Sequence, residues 1–374
     1  MLCVASVVVV LGVAAGTVTA LGDGGERGRD RAADARPGAM PPAPSPPPSP
    51  SASPSVAVAS PTGAPAATPT PPAGRRAVRK PRAATASAGL YRHDESQVLD
   101  WVHAHPADPR TPVIESRVAN RPAAVWFADY APGTIAARVR AVTSGAAAQG
   151  RVPVLVAYAI PDRDCGGASE GGAPDIDAYD GWIDRFATGL GRGEVIVVLE
   201  PDSIAQADCL DAGARADRFA ALARAGRVLK AADPAARVYY DAGHSHWNAP
   251  AQQAALLRQA GAASAASSDG IFSNVSNFRA TADEAAYVRR VLDALGGPAG
   301  LGAVIDTSRN GNGAPADGQW CDPDGRRIGR APTLDTGQAR IDAYLWVKLP
   351  GESDGCKGAA GEFSPEYAYE LASS

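Results

Sequence analysis

From about Gly89 to the C-terminus the chain alternates short apolar runs with longer alanine-rich segments. The apolar runs are "AAVWFAD" (123–129), "VPVLVAYAIP" (152–161), "EVIVVLEPD" (194–202), "RVYYDAG" (237–243), "GIFSNVSN" (270–277), "GAVIDTS" (302–308) and "AYLWVKLPG" (343–351). Several are apolar at successive rather than alternate positions and are bounded by turn residues, as in strands buried on both faces. Between several of them lie helical patterns: "PGTIAARVRAVTSGAAAQG", "DAYDGWIDRFATGLG", "AGARADRFAALARAGRVLKAA", "PAQQAALLRQAG" and "TADEAAYVRRVLDALG". Strand followed by helix, repeated, predicts a parallel sheet with helices outside it. Seven candidate strands in one domain favour a closed or nearly closed barrel over a doubly wound sheet.

The chain before Gly89 follows other rules. "MLCVASVVVVLGVAAGTVTALGDGG" is apolar from Leu2 to about Val18 and ends in small residues ahead of a polar stretch. It reads as a signal peptide within residues 1–22, cut after Ala20, although the positive residues that usually precede the apolar run are missing. Its length is marginal for a membrane span, so an uncleaved anchor holding the protein outside the cell is the alternative to secretion. Residues 23–85, with "MPPAPSPPPSPSASPSVAVASPTGAPAATPTPPAG", have too little apolar surface to fold and read as a disordered, partly polyproline tether. Residues 86–374 are assigned to the folded domain.

Charge and cysteines narrow the classes. With 36 Lys and Arg against 40 Asp and Glu, net −4, there is no basic excess to attract nucleic acid. Of five cysteines, Cys3 lies in the export segment. Cys165, Cys209, Cys321 and Cys356 form an even set in an exported chain, which predicts two disulfides. No CxxC occurs, and "HSHW" (244–247) offers two His without further ligands nearby, so neither a metal nor a cofactor is expected. A monomer is the default.

The stretch "VIVVLEPDSIA" (195–205) ends an apolar run in an acidic pair split by proline. A carboxylate there either caps a following helix or faces a cleft at the mouth of an α/β fold. Asp129, Asp164, Asp202, Asp241, Asn277, Asp306 and Lys348 each lie at or just past the end of a run. Barrels of this kind build their sites at that end from several strands. Capping does not account for Glu352 and Asp354, which follow a strand in a loop, so the clustering favours an acidic cleft.

In order, "VAYAIPDRDC", "VLEPDSIA", "DAGHSHW", "SNVSNF" and "WVKLPGESDGC" resemble the successive motifs of glycoside hydrolase family 6, the inverting cellulases. The similarity runs from Trp126 to the C-terminus. It implies a distorted seven-stranded parallel β/α barrel, in agreement with the strand count, and β-1,4-glucan as substrate. Cleaving such a bond needs a proton for the departing oxygen and a water directed at the anomeric carbon from the opposite face, hence two carboxyl roles. By the resemblance Asp202 is the general acid, its pKa raised by a neighbouring carboxylate or an apolar pocket. Asp164 modulates that pKa and helps order the water, and Tyr158 lies under the sugar at the cleavage point. Asp354 matches the position proposed as base, a role less settled because the water can be reached through a chain. Asp241 helps hold the charge network, with a helix cap or buried ion pair as alternatives, and Asp306 is read as structural.

Sugar rings present flat C–H faces and hydroxyl rims, so aromatic platforms are expected. Trp126, Trp247 and Trp320 match family platform positions, whereas Trp101, Trp182 and Trp346 read as core. Asp129, His244, Asn277, Lys348 and Glu352 would bond the hydroxyls, and Ser169, in the glycine-rich "CGGASEGGAP" (165–174), would touch the attacking water when that loop closes. The resemblance also pairs Cys165 with Cys209 and Cys321 with Cys356. Short connections between the motifs predict an open cleft and hence endo action, with a cellobiohydrolase or a non-catalytic carbohydrate-binding protein as the alternatives.

Overall fold

The computed structural model describes residues 89–373. The expectations of an export segment in 1–22 and a tether in 23–85 fall outside the described residues. Seven strands are present: β1 (Val125–Phe127), β2 (Val154–Ala157), β3 (Val195–Leu199), β4 (Ala236–Asp241), β5 (Gly270–Ser273), β6 (Gly302–Asp306) and β7 (Ile341–Leu345). They form one sheet in chain order, every neighbouring pair parallel. The helices are α1 (Gln97–Ala104), α2 (Thr111–Ile114), α3 (Ile135–Ala148), α4 (Ile176–Thr188), α5 (Ala212–Ala232), α6 (Pro250–Gln259), α7 (Thr281–Leu295) and α8 (Pro365–Ser373).

The continuous apolar runs have a direct cause. Side chains alternate across a strand, and here both faces are covered. Val154, Val156, Ile196, Val198, Tyr239, Phe272 and Val304 point into the curl of the sheet and pack on one another. Leu155, Val197, Leu199, Val238, Tyr240 and Ile305 point outward and pack with Val139, Ile183, Phe186, Leu222 and Val288 of the helices. A third, smaller cluster joins Val98, Val102, Ile114 and Ala372 from α1, α2 and α8 to Leu349.

The curl is a half-barrel with a seam. Among the described residues no ladder pairs β7 with β1; instead the Ala124 N–H donates to the Trp346 carbonyl at 2.9 Å and the Trp126 indole Nε1–H to the Val347 carbonyl at 2.7 Å. The last strand begins two residues earlier than the pattern predicts. Asp342 masks its start, yet its carboxylate is satisfied by the Tyr239 hydroxyl at 2.9 Å. Helices α1, α2 and α8 are absent from the predicted patterns; all three are shorter than the mean helix and pack on one another rather than on the sheet.

Candidate active site

A cleft of about 1110 Å³ opens at the C-terminal ends of the strands. The apolar runs outlast the strands there: Tyr158, Asp202, Asn277, Lys348 and Glu352 all follow the last paired residue and line the cleft. Backbone strain gathers at the same edge. Asp162, Asp164, Cys165, Glu200, Asp202, Asn274 and Ser276 all have positive φ, a costly conformation that surrounding structure must hold in place.

Asp202 is half-buried in the cleft. Burial first, and then the charges of Asp241, Asp164 and Asp354, push its carboxyl well above the usual range. Asp241 is buried and is not part of the cleft wall. Its Oδ2 accepts the N–H groups of Ile204 (3.1 Å) and Ala205 (2.8 Å), and its Oδ1 accepts that of Gly243 (2.8 Å). Burial raises Asp241 too, but these donors favour its anion. Of the two, Asp202 is therefore the one to carry a proton. The other half of the acidic pair, Glu200, is fully buried and accepts the N–H groups of Ala159 and Ile160 at the end of β2. Burial pushes it up to about 7 against those bonds. It ties two strand ends together and does not line the cleft.

Asp164 opens the loop after β2. Its Oδ2 accepts the Ser169 N–H at 2.7 Å, and both residues line the cleft. The loop is pinned by the Cys165–Cys209 disulfide to the segment after Asp202. Arg218 reaches from α5 to the Pro161 and Asp162 carbonyls at 2.7 and 3.0 Å. Arg163 donates to the Ser169 carbonyl at 2.9 Å and stacks its guanidinium over the Tyr158 ring, 4.5 Å from the centroid. Gly172 closes the loop at φ 107°, where a Cβ would meet the Ile160 carbonyl oxygen at 2.0 Å. Only glycine fits there.

Asp354 lies in the loop after β7 under different conditions. Its carboxylate is forked by Arg309, Nη1 to Oδ2 at 2.8 Å and Nη2 to Oδ1 at 3.0 Å, and Lys348 Nζ stands 3.5 Å from Oδ1. Lys348 Nζ also donates to the Ser353 carbonyl at 2.8 Å. Burial pushes neighbouring Glu352 up to about 7, although Lys348 pulls the other way. The second disulfide, Cys321–Cys356, joins this loop to the β6–β7 connection. Asp306 is buried and accepts the N–H groups of Ser276, Ser308 and Lys348, so it fastens three loops from below. Sequence reasoning passed over Arg309, which is fully buried. The signal was its place three residues after Asp306 in "IDTSRNGNG".

The aromatic residues divide as follows. Trp126 lines the cleft, edge-on to Tyr158 with ring centroids 5.3 Å apart. Trp247 is 37% exposed and stands against His244, centroids 5.1 Å apart; burial holds the His244 imidazole down at about 4. Trp320 is 59% exposed at the cleft. Asn277 and Asp129 also line it, Asp129 with its side chain largely in solvent, 3.7 Å from Arg138. Trp182 and Trp346 are buried, whereas Trp101 is half-buried, stacked on His105. Of the residues singled out in sequence as acting on the sugar, all but Asp241 meet in this one cleft. Among the described residues no group of three or more His, Cys, Asp or Glu is arranged to hold a metal ion.

A sequence profile of Glycosyl hydrolases family 6 matches residues 86–374. The chain belongs to this family. Within glycosyl hydrolase family 6 it is 54% identical over 290 residues to Endoglucanase 1 of Streptomyces sp. (strain KSM-9), covering 77% of this chain and 79% of that protein. Endoglucanase A of Thermobispora bispora is 48% identical over 77% of this chain, which spans 64% of that protein's length. The solved structure of the endoglucanase Cel6 from Mycobacterium tuberculosis, in complex with methyl-cellobiosyl-4-deoxy-4-thio-β-D-cellobioside, superposes with a TM-score of 0.71 at 39% identity. That match covers 77% of this chain and 97% of the solved one. The family 6 chain is thus a glycoside hydrolase built on a curled, seven-stranded parallel sheet.

Proposed function

We propose that the protein is a secreted endo-β-1,4-glucanase that hydrolyses internal bonds of cellulose or a related β-glucan with inversion. Residues 86–374 are its catalytic domain, carried behind an export signal in 1–22 by the tether 23–85. The observation that carries the reading is Asp202: a carboxyl in the cleft with Asp241, Asp164 and Asp354 around it, whose proton affinity burial and those charges raise. It gives its proton to the departing glycosidic oxygen as that bond breaks. A water adds to the anomeric carbon from the opposite face and loses a proton towards Asp354, through further water, with Asp164 and Ser169 ordering the approach. Tyr158 lies under the reacting sugar. Trp126, Trp247 and Trp320 carry neighbouring rings, and Asp129, His244, Asn277, Lys348 and Glu352 bond their hydroxyls. The exposure of Trp247 and Trp320 supports an open cleft and internal cutting, as do the names of the similar endoglucanases.

The test is proton NMR of cellohexaose in the opening minutes of digestion by residues 86–374. The α-anomer should appear first. The β-anomer would contradict the Asp202 and Asp354 roles, and binding without hydrolysis would favour a non-catalytic carbohydrate-binding protein.

A further inference from the structure

The segment carrying Asp354 is fastened by more than its disulfide. Asp322, next to Cys321, is buried. Its Oδ1 accepts the Asp354 N–H at 2.8 Å. Its Oδ2 accepts the Ser353 hydroxyl at 2.6 Å and the N–H groups of Cys356 at 3.0 Å and Lys357 at 2.9 Å. In return the Asp322 N–H donates to Asp354 Oδ2 at 3.2 Å. The two aspartates therefore bond reciprocally, each carboxylate to the other's backbone. One guanidinium serves both: Arg309 Nη1 is 2.8 Å from Asp354 Oδ2 and 3.6 Å from Asp322 Oδ1. Burial alone would raise the Asp322 carboxyl, yet the Ser353 hydroxyl and the three N–H groups outweigh it and hold it below the usual range. Asp322 adopts this place at a φ of 43°, a strained conformation for a residue with a side chain.

The geometry points to Asp322 as a positioning residue for the hydrolysis: through the reciprocal pair and the shared Arg309 it fixes where the Asp354 carboxylate stands in the cleft. This rests on the proposed role of Asp354 in activating water. Asp322 does not itself line the cleft, so its influence on the sugar passes through the residues it holds, and Asp354 is the cleft residue it bonds directly. Misplacing a catalytic group by about 1 Å can cost on the order of 100-fold in rate.

Asp322→Asn keeps the volume but turns one acceptor oxygen into an NH2 facing N–H donors. It should lower kcat on cellohexaose about 10- to 100-fold, with KM changed less than about twofold and with the melting transition still cooperative. In an Asp354→Ala background the same substitution should add no further loss, because what it positions is gone. An equal fold-loss in both backgrounds, or an unchanged kcat in the single variant, would overturn the proposal. Should Asp322→Asn not fold, Ser353→Ala removes one of the bonds to Asp322, together with the hydroxyl's contacts to Gly355, Lys357 and Gly358 in the same loop, and is expected to reduce kcat a few-fold when Asp354 is present and not when it is absent; equal losses in the two backgrounds would again overturn it. Azide separates this from the reading beneath it: it should restore turnover to Asp354→Ala. No azide effect there would remove the base role from Asp354 itself, whereas the comparison of backgrounds tests the positioning.

Discussion

Asp202, after β3, lies among carboxylates; Asp354, after β7, is held by two cations, one of which it shares with Asp322. Asp241, Asp164 and Asp354 all raise Asp202, and among the described residues no ion pair reaches it. Asp354 is forked by a fully buried Arg309 and has Lys348 3.5 Å away. One residue type thus meets opposite surroundings within one cleft. In the proposed mechanism it is environment, rather than chemical identity, that divides acid from base. On the first side burial and neighbouring carboxylates raise a proton affinity; on the second, donors fix an oxygen's direction by filling its lone pairs from behind.

Breaking the first side should give the largest effect. Asp202→Ala removes the proton donor and is expected to cost about 100- to 10,000-fold in kcat on unactivated glucan, with binding to the platforms retained, as steady-state rates and isothermal calorimetry would record. Near wild-type turnover would remove the acid role from Asp202. On the second side, Arg309→Met leaves Asp354 and Asp322 with a buried charge deficit. Stability should fall by about 3–5 kcal/mol, read from the urea midpoint, with activity falling alongside; an unchanged midpoint would mean that the guanidinium does not matter to the fold. The smallest expected effect sharpens the coupling between the acids. If Asp202 is the acid as proposed, the basic limb of the activity profile marks where it loses its proton. Asp164→Ala removes one negative neighbour, lowers that raised pKa and should move the limb to lower pH, besides reducing the rate. A limb that stays in place would show that Asp164 and Asp202 do not interact.

These two sides were not equally legible in the sequence. Asp202 ends an apolar run, and the two buried faces of each strand make such runs visible, so the sheet and the acid position could be read together. Asp354 was legible only as an acidic residue in a loop. What conditions it is Arg309, 45 positions away in the chain, and sequence rules place arginine on surfaces because burying a guanidinium is rare without partners. Asp322 was hidden because its partners, the Ser353 hydroxyl and three backbone N–H groups, lie 31 to 35 positions further along the chain, and backbone groups are announced by no residue type. Glu200 was visible as half of an acidic pair, but its inward turn depends on a positive φ that the pattern does not encode. The half-barrel's seam was likewise unreadable, since strand count fixes neither closure nor register.

That seam bears on how long the enzyme lasts in use. The Trp126 indole joins the first strand to the chain leaving the last through Val347, across a boundary held by isolated bonds. A sugar resting on that indole while its hydroxyls reach Lys348 or Glu352 would touch both margins at once. Its binding free energy would be added to that joint and would raise resistance to unfolding by mass action. Heat should therefore inactivate the idle protein sooner than the protein at work on its polymer.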